Sequence, residues 1–586
     1  MKWLRRSRNL FWGAVFAALW RSARAGGIAN PYAFNLLLRG GWVYDGSGAP
    51  PFLADVGVVG DRIVAIGDLA PLRGRQEIDV SGMAVAPGFI NMLSWATESL
   101  IADPSSESDL RQGVTLEVFG EGVSMGPLSP AMRQDLRLRQ GNRRFDVDWT
   151  SLGEYLEFLE KRGVATNVAS FVGATSLRIH ELGHAARAPT PRELARMCEL
   201  AREAMREGAL GVGSALIYAP GVFADRAELE ALACAVAEYG GGYISHLRSE
   251  SVHLLEAIDE LIAIARATGQ HAEIYHLKAA GTQAWPLMAQ AIDRIEAARA
   301  AGLDVSANMY PYVAGASGLD AAMPPWVQAD GHSAWLARLR DPVLRTRLLA
   351  EIGAPSPGWE SLYAAAGSAE NVRLLGFHNP TLQHFTGLTL GEVARRRGQS
   401  PEQTMIDLVL EDRSRVNVAY FMMDEANVRR QLALPWVSLC SDEESLAPRG
   451  AHLRQMPHPR AYGAFARFLG HYVRDERLVG LPEAIRRLTG LPAQNLRLRD
   501  RGEIRTGAYA DLVVFDPARI AERATWAQPQ QFAVGVEQVV VNGQLVLRDG
   551  RLTGARPGRF IRGPGWNGAA QPVAAADLAP LPRAAG

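Results

Sequence analysis

Eight short apolar runs recur through the middle of this 586-residue chain, and segments with helical periodicity lie between most of them. The runs are typical of buried strands because they are rich in Val, Ile, Ala and Gly and end at turn-forming residues. Strands that alternate with helices pair in parallel, and eight such units close into a barrel. The sequence therefore predicts an α/β fold with a (β/α)8 TIM barrel over residues 86–485. The eight runs cover residues 83–92, 114–120, 165–173, 209–216, 241–248, 272–278, 303–312 and 436–443.

Both ends of the chain carry a different pattern, with short alternating strands broken by Gly and Asp. Residues 34–85 and 486–560 share this pattern, so we expect one small β-sandwich domain built from both. The stretch from about 319 to 430 is longer than an ordinary βα loop and predicts an inserted subdomain or lid. Residues 561–586 are rich in Ala, Pro and Gly and predict a disordered tail.

The first 25 residues have the form of an export signal. Arg5 and Arg6 precede an apolar run at 10–20, and residues 23–25 match an A-x-A cleavage site. The run is shorter than the about 20 apolar residues that span a bilayer, so we expect no stable membrane insertion. The paired arginines suggest twin-arginine export of a prefolded protein to the periplasm. An uncleaved amphipathic anchor is the alternative interpretation.

Charge and cysteine content narrow the class of partner. Lys plus Arg and Asp plus Glu both total 62, so no net charge favours nucleic acid, and we expect a small-molecule partner. Three cysteines, Cys198, Cys234 and Cys440, are too few and scattered for a disulfide framework. Burial is the expected role of each.

Four predicted strands end near a side chain that can bind or serve a divalent metal ion, namely Glu121, His246, His276 and Asp442. Active sites of such barrels form where the C-terminal strand ends meet. Two imidazoles and the Glu121 carboxylate make a three-ligand set that leaves one position on zinc for water. Asp442 is then free to act as the general base. A single His at a strand end is more often a core residue, but four suitable residues at four ends favour a site.

Three further polar residues are candidates for binding substrate. Lys278 lies two positions after His276, so strand alternation points both to the same side. We predict that Lys278 binds a substrate carboxylate, and the alternative is an ion pair with a Glu or Asp inside the barrel. His458 and Arg460, in the segment HPRAYG, are candidates for carboxylate binding or for support of the metal ligands.

An ordered series of motifs runs from about residue 35 to 560 as GGWVYDGSG, APGFI, QGVT, EGALGVGSALIYAPG, YISHLRSE, EIYHLKAAG, MYPYVAGA, SDEES, HPRAYG and GAYADLVVFDP. The series resembles the N-acyl-D-amino-acid deacylases, or D-aminoacylases, of the amidohydrolase superfamily. The resemblance implies a barrel carrying a small β sandwich, and zinc-dependent hydrolysis of an amide beside a free carboxylate. By position it assigns His246 and His276 to a tightly held metal ion and Asp442 to catalysis. It also assigns substrate contacts to Lys278, Tyr218 and Tyr310.

The chain departs from this family at several positions of the expected site. Leu93 and Trp95 stand where the family has an x-His-x-His pair after APGFI, and that pair mainly serves a second, weaker metal position. Glu121 replaces a family cysteine of the tight position, while Ala174 and Ala316 stand where His and Ser are usual. We therefore expect one divalent metal ion, with Leu93 and Trp95 closing the second position with apolar bulk. Zinc is the first choice, and iron and manganese stay open because a carboxylate is a harder ligand than a thiolate.

These features favour an exported metal-dependent amidohydrolase that acts on N-acyl-D-amino acids, or related N-blocked amino acids, with a free carboxylate. A cyclic amide or lactone hydrolase is a second interpretation, since the same metal and aspartate would serve it. A non-catalytic binding protein that kept the barrel is the third. Retention of Asp442 together with both later histidines argues against this last possibility.

Overall fold

The computed structural model describes residues 32–140, 144–354 and 358–567, so the predicted signal peptide lies outside the described residues. The strands in these ranges are β1 (Phe34–Val43), β2 (Phe52–Val59), β3 (Arg62–Gly67), β4 (Gly74–Asp79), β5 (Ala84–Pro87), β6 (Phe89–Asn91), β7 (Val114–Phe119), β8 (Asn167–Ser170), β9 (Val172–Gly173), β10 (Gly211–Ala215), β11 (Gly242–His246), β12 (Ala272–Ile274), β13 (Val305–Met309), β14 (Ala314–Gly318), β15 (Val372–Leu374), β16 (Asn417–Phe421), β17 (Val437–Leu439), β18 (Leu512–Phe515), β19 (Val536–Val541), β20 (Gln544–Arg548) and β21 (Arg551–Leu552).

The α-helices in the same ranges are α1 (Ser99–Ala102), α2 (Glu107–Leu110), α3 (Pro130–Arg139), α4 (Leu152–Arg162), α5 (Ala174–Leu182), α6 (Pro191–Glu207), α7 (Arg226–Ala237), α8 (Leu254–Thr268), α9 (Leu287–Ala300), α10 (Pro325–Gln328), α11 (His332–Arg340), α12 (Pro342–Ile352), α13 (Leu362–Ala366), α14 (Leu390–Arg397), α15 (Pro401–Asp412), α16 (Glu425–Leu432), α17 (Arg460–Arg467), α18 (Leu481–Leu488) and α19 (Gly490–Asn495). A π-helical segment, Phe468–Asp475, continues α17. None of the helices in the described part of the chain is long and apolar enough to cross a bilayer.

Eight parallel barrel strands, here called staves, form the predicted barrel. One sheet has the order β6-β7-β8 and the other the order β17-β13-β12-β11-β10-β9. Only Phe171 separates β8 from β9, and its N–H donates to the Phe119 carbonyl at 2.9 Å, so these two strands form one bent stave. The ring closes where the Met92 N–H donates to Leu439 at 3.3 Å and the Asp442 N–H donates to Leu93 at 2.9 Å. Each of the eight predicted runs contributes one stave, which confirms the predicted fold.

The first predicted run is divided between two sheets. Its first half is β5, which pairs in antiparallel fashion with β18, and its second half is β6 of the barrel. Gly88 lies between them, and a Cβ there would approach the Thr115 hydroxyl to 2.1 Å. The chain can pass this close to β7 only because residue 88 has no side chain.

The sheet outside the barrel is assembled from both ends of the chain. Its strand order is β21-β20-β19-β18-β5-β1-β2-β3, and β4 pairs with β1. These nine strands correspond to the small β domain predicted from residues 34–85 and 486–560. Helix α18 crosses the predicted boundary at 485, and it packs against β6 and β17 of the barrel.

Four outer helices match the predicted helical segments, and two of them end at a glycine in the left-handed conformation. Thr190 and Glu193 form a capping box at the start of α6, and Gly208 ends that helix at φ 114°. Gly269 ends α8 in the left-handed conformation, at φ 64°. The predicted segments at 191–208, 226–240, 251–269 and 284–302 contain α6, α7, α8 and α9.

The long insertion forms its own subdomain. Strands β14, β16 and β15 make a small antiparallel sheet, and helices α10 to α15 surround it. Its apolar side chains form a cluster distinct from the barrel core, centred on residues such as Leu319, Leu339, Val418 and Tyr420. The sheet begins at Ala314, five residues before the predicted start at 319. A chain segment with its own core is therefore attached above the barrel by β14.

The predicted disordered tail is wrong for residues 561–567, which pack along the barrel. The Ile561 N–H donates to the Val168 carbonyl at 2.8 Å, and the Gly563 N–H donates to Gly208 at 2.8 Å. Backbone pairing of this kind needs little side-chain information, so an Ala-, Pro- and Gly-rich composition does not reveal it. The remainder of the predicted tail, 568–586, lies outside the described residues.

A buried polar network lies at the start of β12, at the end of the barrel opposite Glu121 and Asp442. The His271 ring nitrogens lie 3.1 Å from Glu273 and 3.1 Å from Asp304. Burial alone would lower the pKa of His271, but Asp304 and Glu273 raise it to about 9. The network therefore stabilises the fold while His271 is protonated.

We expect His271→Gln to destabilise the protein by about 2 to 3 kcal/mol at pH 6. The folded pKa lies above the ordinary value of 6.5, so the contribution is complete below pH 6.5 and is lost as pH rises through about 9. Thermal unfolding of both proteins between pH 6 and 10 measures the difference. A difference in melting temperature that does not shrink above pH 9 would contradict this assignment.

Candidate metal centre and active site

The four predicted metal-associated side chains meet at the C-terminal ends of the barrel strands. Glu121 follows β7, His246 ends β11, His276 follows β12 and Asp442 follows β17. Each of them is at most 8% exposed. Burial of four titratable side chains at one barrel end is expensive without partners or a ligand.

Glu121, His246 and His276 have the arrangement of a metal ligand set. One ligand atom from each residue lies within 4.8 Å of those of the other two. Among the described residues, this is the group of His, Cys, Asp or Glu side chains found close enough together to hold a metal ion. His246 Nδ1 lies 3.0 Å from the Leu247 carbonyl, which fixes that nitrogen as the donor and leaves Nε2 as a free lone pair. His276 Nε2 lies 2.7 Å from Glu121 Oε1. Two imidazoles and one carboxylate at this spacing fit a divalent metal ion.

The surroundings of Glu121 and His246 hold each side chain in the protonation state that binds a cation. Burial would raise the pKa of Glu121, but His276, His246 and Lys278 together hold it below its usual range. Burial lowers the pKa of His246 despite the nearby Glu250. Glu121 is therefore anionic and His246 neutral, which are the forms in which each binds a metal ion.

Asp442 has two polar partners that fix its carboxylate. Arg460 Nη1 lies 2.7 Å from Oδ2, and the Trp95 indole N–H donates to Oδ1 at 3.1 Å. Burial raises the pKa of Asp442 above its usual range, although Arg460 opposes the shift. A buried carboxylate with a raised pKa suits a group that takes up and returns a proton.

His276 and Asp442 both have left-handed backbone conformations, at φ 34° and φ 50°. Such conformations cost roughly 1 to 3 kcal/mol each for residues with a side chain, and they cluster at functional sites. The His276 N–H donates to Asn308 Oδ1 at 2.9 Å, and the Asp442 N–H donates to the Leu93 carbonyl at 2.9 Å. These bonds hold both side chains toward the centre of the barrel mouth.

Lys278 forms the ion pair that the sequence left open as the alternative. Its Nζ lies 2.6 Å from Glu250 Oε1 and 2.6 Å from His276 Nδ1. Glu250 Oε1 also lies 3.1 Å from His276 Nδ1, so one carboxylate supports both side chains. Burial would raise the pKa of Glu250, but His246, Lys278 and His276 hold it well below its usual range. Sequence reasoning missed Glu250, although it lies four residues after His246 in the segment HLRSE.

Tyr310 and Arg460 form one wall of the site. The Arg460 guanidinium lies over the Tyr310 ring, 4.4 Å from its centroid, and Lys278 Nζ lies 5.6 Å from the same centroid. Arg460 is buried, and its Nε makes no hydrogen bond within the described structure. A buried guanidinium with an unused donor is prepared to bind an anion such as a carboxylate.

Tyr218 and His458 join the site to the insertion. The Tyr218 hydroxyl lies 2.9 Å from Ser317 Oγ, and its ring meets the His246 ring edge-on at 5.4 Å. His458 Nε2 lies 2.9 Å from the Ala314 carbonyl, and Nδ1 accepts from the Arg460 N–H at 3.0 Å. Both nitrogens of His458 contact backbone groups, which favours the supporting role that the sequence left open over direct substrate binding. Its contacts support Arg460 instead.

Leu93 and Trp95 occupy the place of the missing histidine pair in different ways. Leu93 is fully buried and apolar, as expected. The expectation of apolar bulk is wrong for Trp95, because its indole N–H donates to Glu121 Oε2 at 3.1 Å as well as to Asp442. Apolar area alone does not predict the contacts of a tryptophan, because its single polar group, the indole N–H, decides which acceptors it meets.

Sequence and structure comparisons relate this chain to a family of hydrolases. Residues 76–547 match the model of the amidohydrolase family. D-aminoacylase of Alcaligenes xylosoxydans xylosoxydans is 34% identical over 533 residues, which cover 90% of this chain and 97% of that protein. N-acyl-D-glutamate deacylase of the same organism is 33% identical over 533 residues, which cover 90% and 96%.

Solved structures give the same relationship. A crystal structure of D-aminoacylase matches with a TM-score of 0.75 and 34% identity, covering 90% of this chain and 100% of that one. N-acyl-D-glutamate deacylase from Bordetella bronchiseptica, in complex with zinc and a phosphonate inhibitor, matches with a TM-score of 0.74 and 31% identity over 90% and 99%. A further D-aminoacylase structure, with a TM-score of 0.75 and 33% identity over 90% and 100%, concerns a binuclear metal centre with one-metal activation and second-metal attenuation.

We expect Glu250→Gln to weaken metal binding by about 10- to 100-fold, because His276 loses a carboxylate partner and Lys278 is left unpaired beside it. Competition with a chelator of known affinity measures the change. Glu260→Gln is the matched control, since Glu260 pairs with Arg248 and contacts none of the three metal ligands. Equal metal affinity in the two variants would show that Glu250 does not support the centre.

Proposed function

The chain belongs to the amidohydrolase family, and on that premise we propose that it is a metal-dependent deacylase of N-acyl-D-amino acids or related N-blocked amino acids. The observation that carries the proposal is the buried set of Glu121, His246 and His276 beside Asp442. The relatives named as D-aminoacylase and N-acyl-D-glutamate deacylase cover nine-tenths of the chain. They support the same reaction class here.

One divalent metal ion, with zinc as the first choice, is the proposed cofactor. Glu121, His246 and His276 would hold it, and these three residues leave a coordination position open. When bound, such an ion polarises an amide carbonyl and makes an attacking water more acidic. Zinc in a related deacylase structure supports this choice.

Asp442 is the proposed proton-transfer residue. Its raised pKa suits it to take a proton from the attacking water and return that proton to the leaving nitrogen. Arg460 and Trp95 fix the carboxylate from both oxygens, so little reorientation is needed during the reaction. The leaving group is the amino group of the released amino acid.

Arg460 is the proposed anchor for the free carboxylate of the substrate, and Tyr310 lines the same wall. The unused Nε of the buried guanidinium supports this role, since an anion would satisfy it. Lys278 adds positive charge nearby, although its closest partner is Glu250. Tyr218 would contact the substrate from the opposite side, beside His246. A cyclic amide or lactone offers no carboxylate for Arg460, which favours the linear substrates.

We expect the metal-loaded protein to hydrolyse N-acetyl-D-amino acids faster than their L-enantiomers, a hydantoin or a lactone. Asp442→Asn removes the proton acceptor, and we expect kcat to fall by about 10²- to 10⁴-fold at unchanged metal content. Initial rates on this panel, with metal content measured for both proteins, provide the test. A binding protein would bind its ligand equally well with Asn at position 442 and would turn over none of the panel.

We also propose that the protein is exported by its N-terminal segment and acts in the periplasm. The basic residues, the apolar run and the A-x-A site within residues 1–25 support this location. N-terminal sequencing of protein from the periplasmic fraction should give Gly26 as the first residue. A full-length protein confined to the cytoplasm would contradict it.

A further inference from the structure

The Trp95 side chain links the candidate metal ligands to the proposed proton-transfer residue by a shared donor. Its indole Nε1 lies 3.1 Å from Glu121 Oε2 and 3.1 Å from Asp442 Oδ1. Glu121 Oε1 is used separately, because it accepts from the His276 ring. The indole N–H is therefore a bridge between two carboxylates.

Two buried carboxylates facing one another repel, and a shared positive group relieves that repulsion. The indole N–H supplies a partial positive charge without adding a full charge. It also fixes both oxygens relative to a rigid ring that is partly buried and packed against the barrel core. The family resemblance assigns positions 93 and 95 to a second, weaker metal position, so the indole N–H supplies positive charge where a cation would otherwise supply it.

The same geometry leaves a second cation without ligands. An indole nitrogen is a donor only and offers no lone pair, and Leu93 has no polar side-chain atom. The oxygens that face Trp95 already accept its hydrogen. Within the described residues, the metal-ligating cluster found at this end of the barrel contains Glu121, His246 and His276 alone.

We propose that Trp95 is a positioning residue that takes the place of a second metal ion, holds Asp442 in register with Glu121, and makes this a one-metal enzyme that excess metal does not inhibit. The inference rests on the proposed deacylase function. It goes beyond it by assigning a role to a residue that stands where related proteins are expected to have a metal ligand.

Two measurements on the full chain test the proposal. Metal content after equilibration with increasing ZnCl₂ and removal of free ion counts the bound ions independently of activity. Initial rates over the same zinc range measure inhibition. We expect wild-type protein to hold one ion per chain at every concentration and to keep its rate.

Trp95→Phe keeps a large ring and removes only the N–H. We expect kcat to fall by about 10- to 100-fold with little change in KM, and one ion to be retained, because the hydrogen bonds to charged oxygens are lost while the ligands remain. Trp149→Phe is the matched control, since that indole donates to the Met125 carbonyl, outside the site. Its kcat, KM and metal content should equal those of the wild type.

The double variant Leu93→His and Trp95→His restores two imidazoles in place of the bridge. We expect it to bind a second ion and to lose activity as zinc rises. If it does not fold, the wild-type titration and Trp95→Phe still decide the question. Two ions in the wild type under excess zinc, or an unchanged kcat in Trp95→Phe, would overturn the role of Trp95. Wild-type protein that binds no ion, or hydrolyses none of the panel, would instead overturn the proposed function itself.

Discussion

The rest of the site depends on the contacts that the Glu121 carboxylate makes through its two oxygens. One of its oxygens faces the His276 ring at 2.7 Å and the other accepts from Trp95 at 3.1 Å. Its position is set by Gly120 and Gly122, both at positive φ. A Cβ at residue 120 would approach the Phe171 carbonyl to 2.3 Å, so the loop after β7 can lie against the bend between β8 and β9 only with glycine there. The location of the anionic ligand is thus a consequence of backbone packing in the barrel.

Charge balance explains why so many titratable groups tolerate burial together. Glu121, Glu250 and Asp442 are buried carboxylates, and Lys278 and Arg460 are buried cations placed against two of them. Buried ions are tolerated when each has an oppositely charged partner and further hydrogen bonds. The left-handed conformations of His276 and Asp442 add a cost that the surrounding network must offset. The barrel mouth therefore holds its charges in a fixed arrangement at a cost to the stability of the folded protein.

The barrel and the places of the candidate metal ligands were predictable because each depends on a local signal. Apolar runs mark the staves, and Glu121, His246, His276 and Asp442 each lie at or just past the end of one. Glu250 and the Trp95 bridge were not, because their roles depend on which side chains face each other across the barrel. The role of His458 was not predictable for the same reason. Its place in the segment HPRAYG does not show that both of its ring nitrogens contact backbone groups. The ordered packing of residues 561–567 was not predictable, because amino-acid composition does not reveal backbone pairing.

The insertion is part of the site through three contacts with the barrel. Ser317 of β14 meets the Tyr218 hydroxyl, and the Ala314 carbonyl of the same strand meets His458, the residue that supports Arg460. On the other side, Glu360 Oε1 accepts from the Glu250 N–H at 2.7 Å, and burial raises the pKa of Glu360 to about 7. The insertion thus orients Arg460 beside Asp442. It also orients Glu250 behind His276 and the Tyr218 ring beside His246. The candidate metal ligands lie at the ends of barrel strands, whereas the walls that surround them depend on a subdomain with a separate core. Changes within residues 314–421 can therefore alter the shape of the site while Glu121, His246 and His276 stay in place.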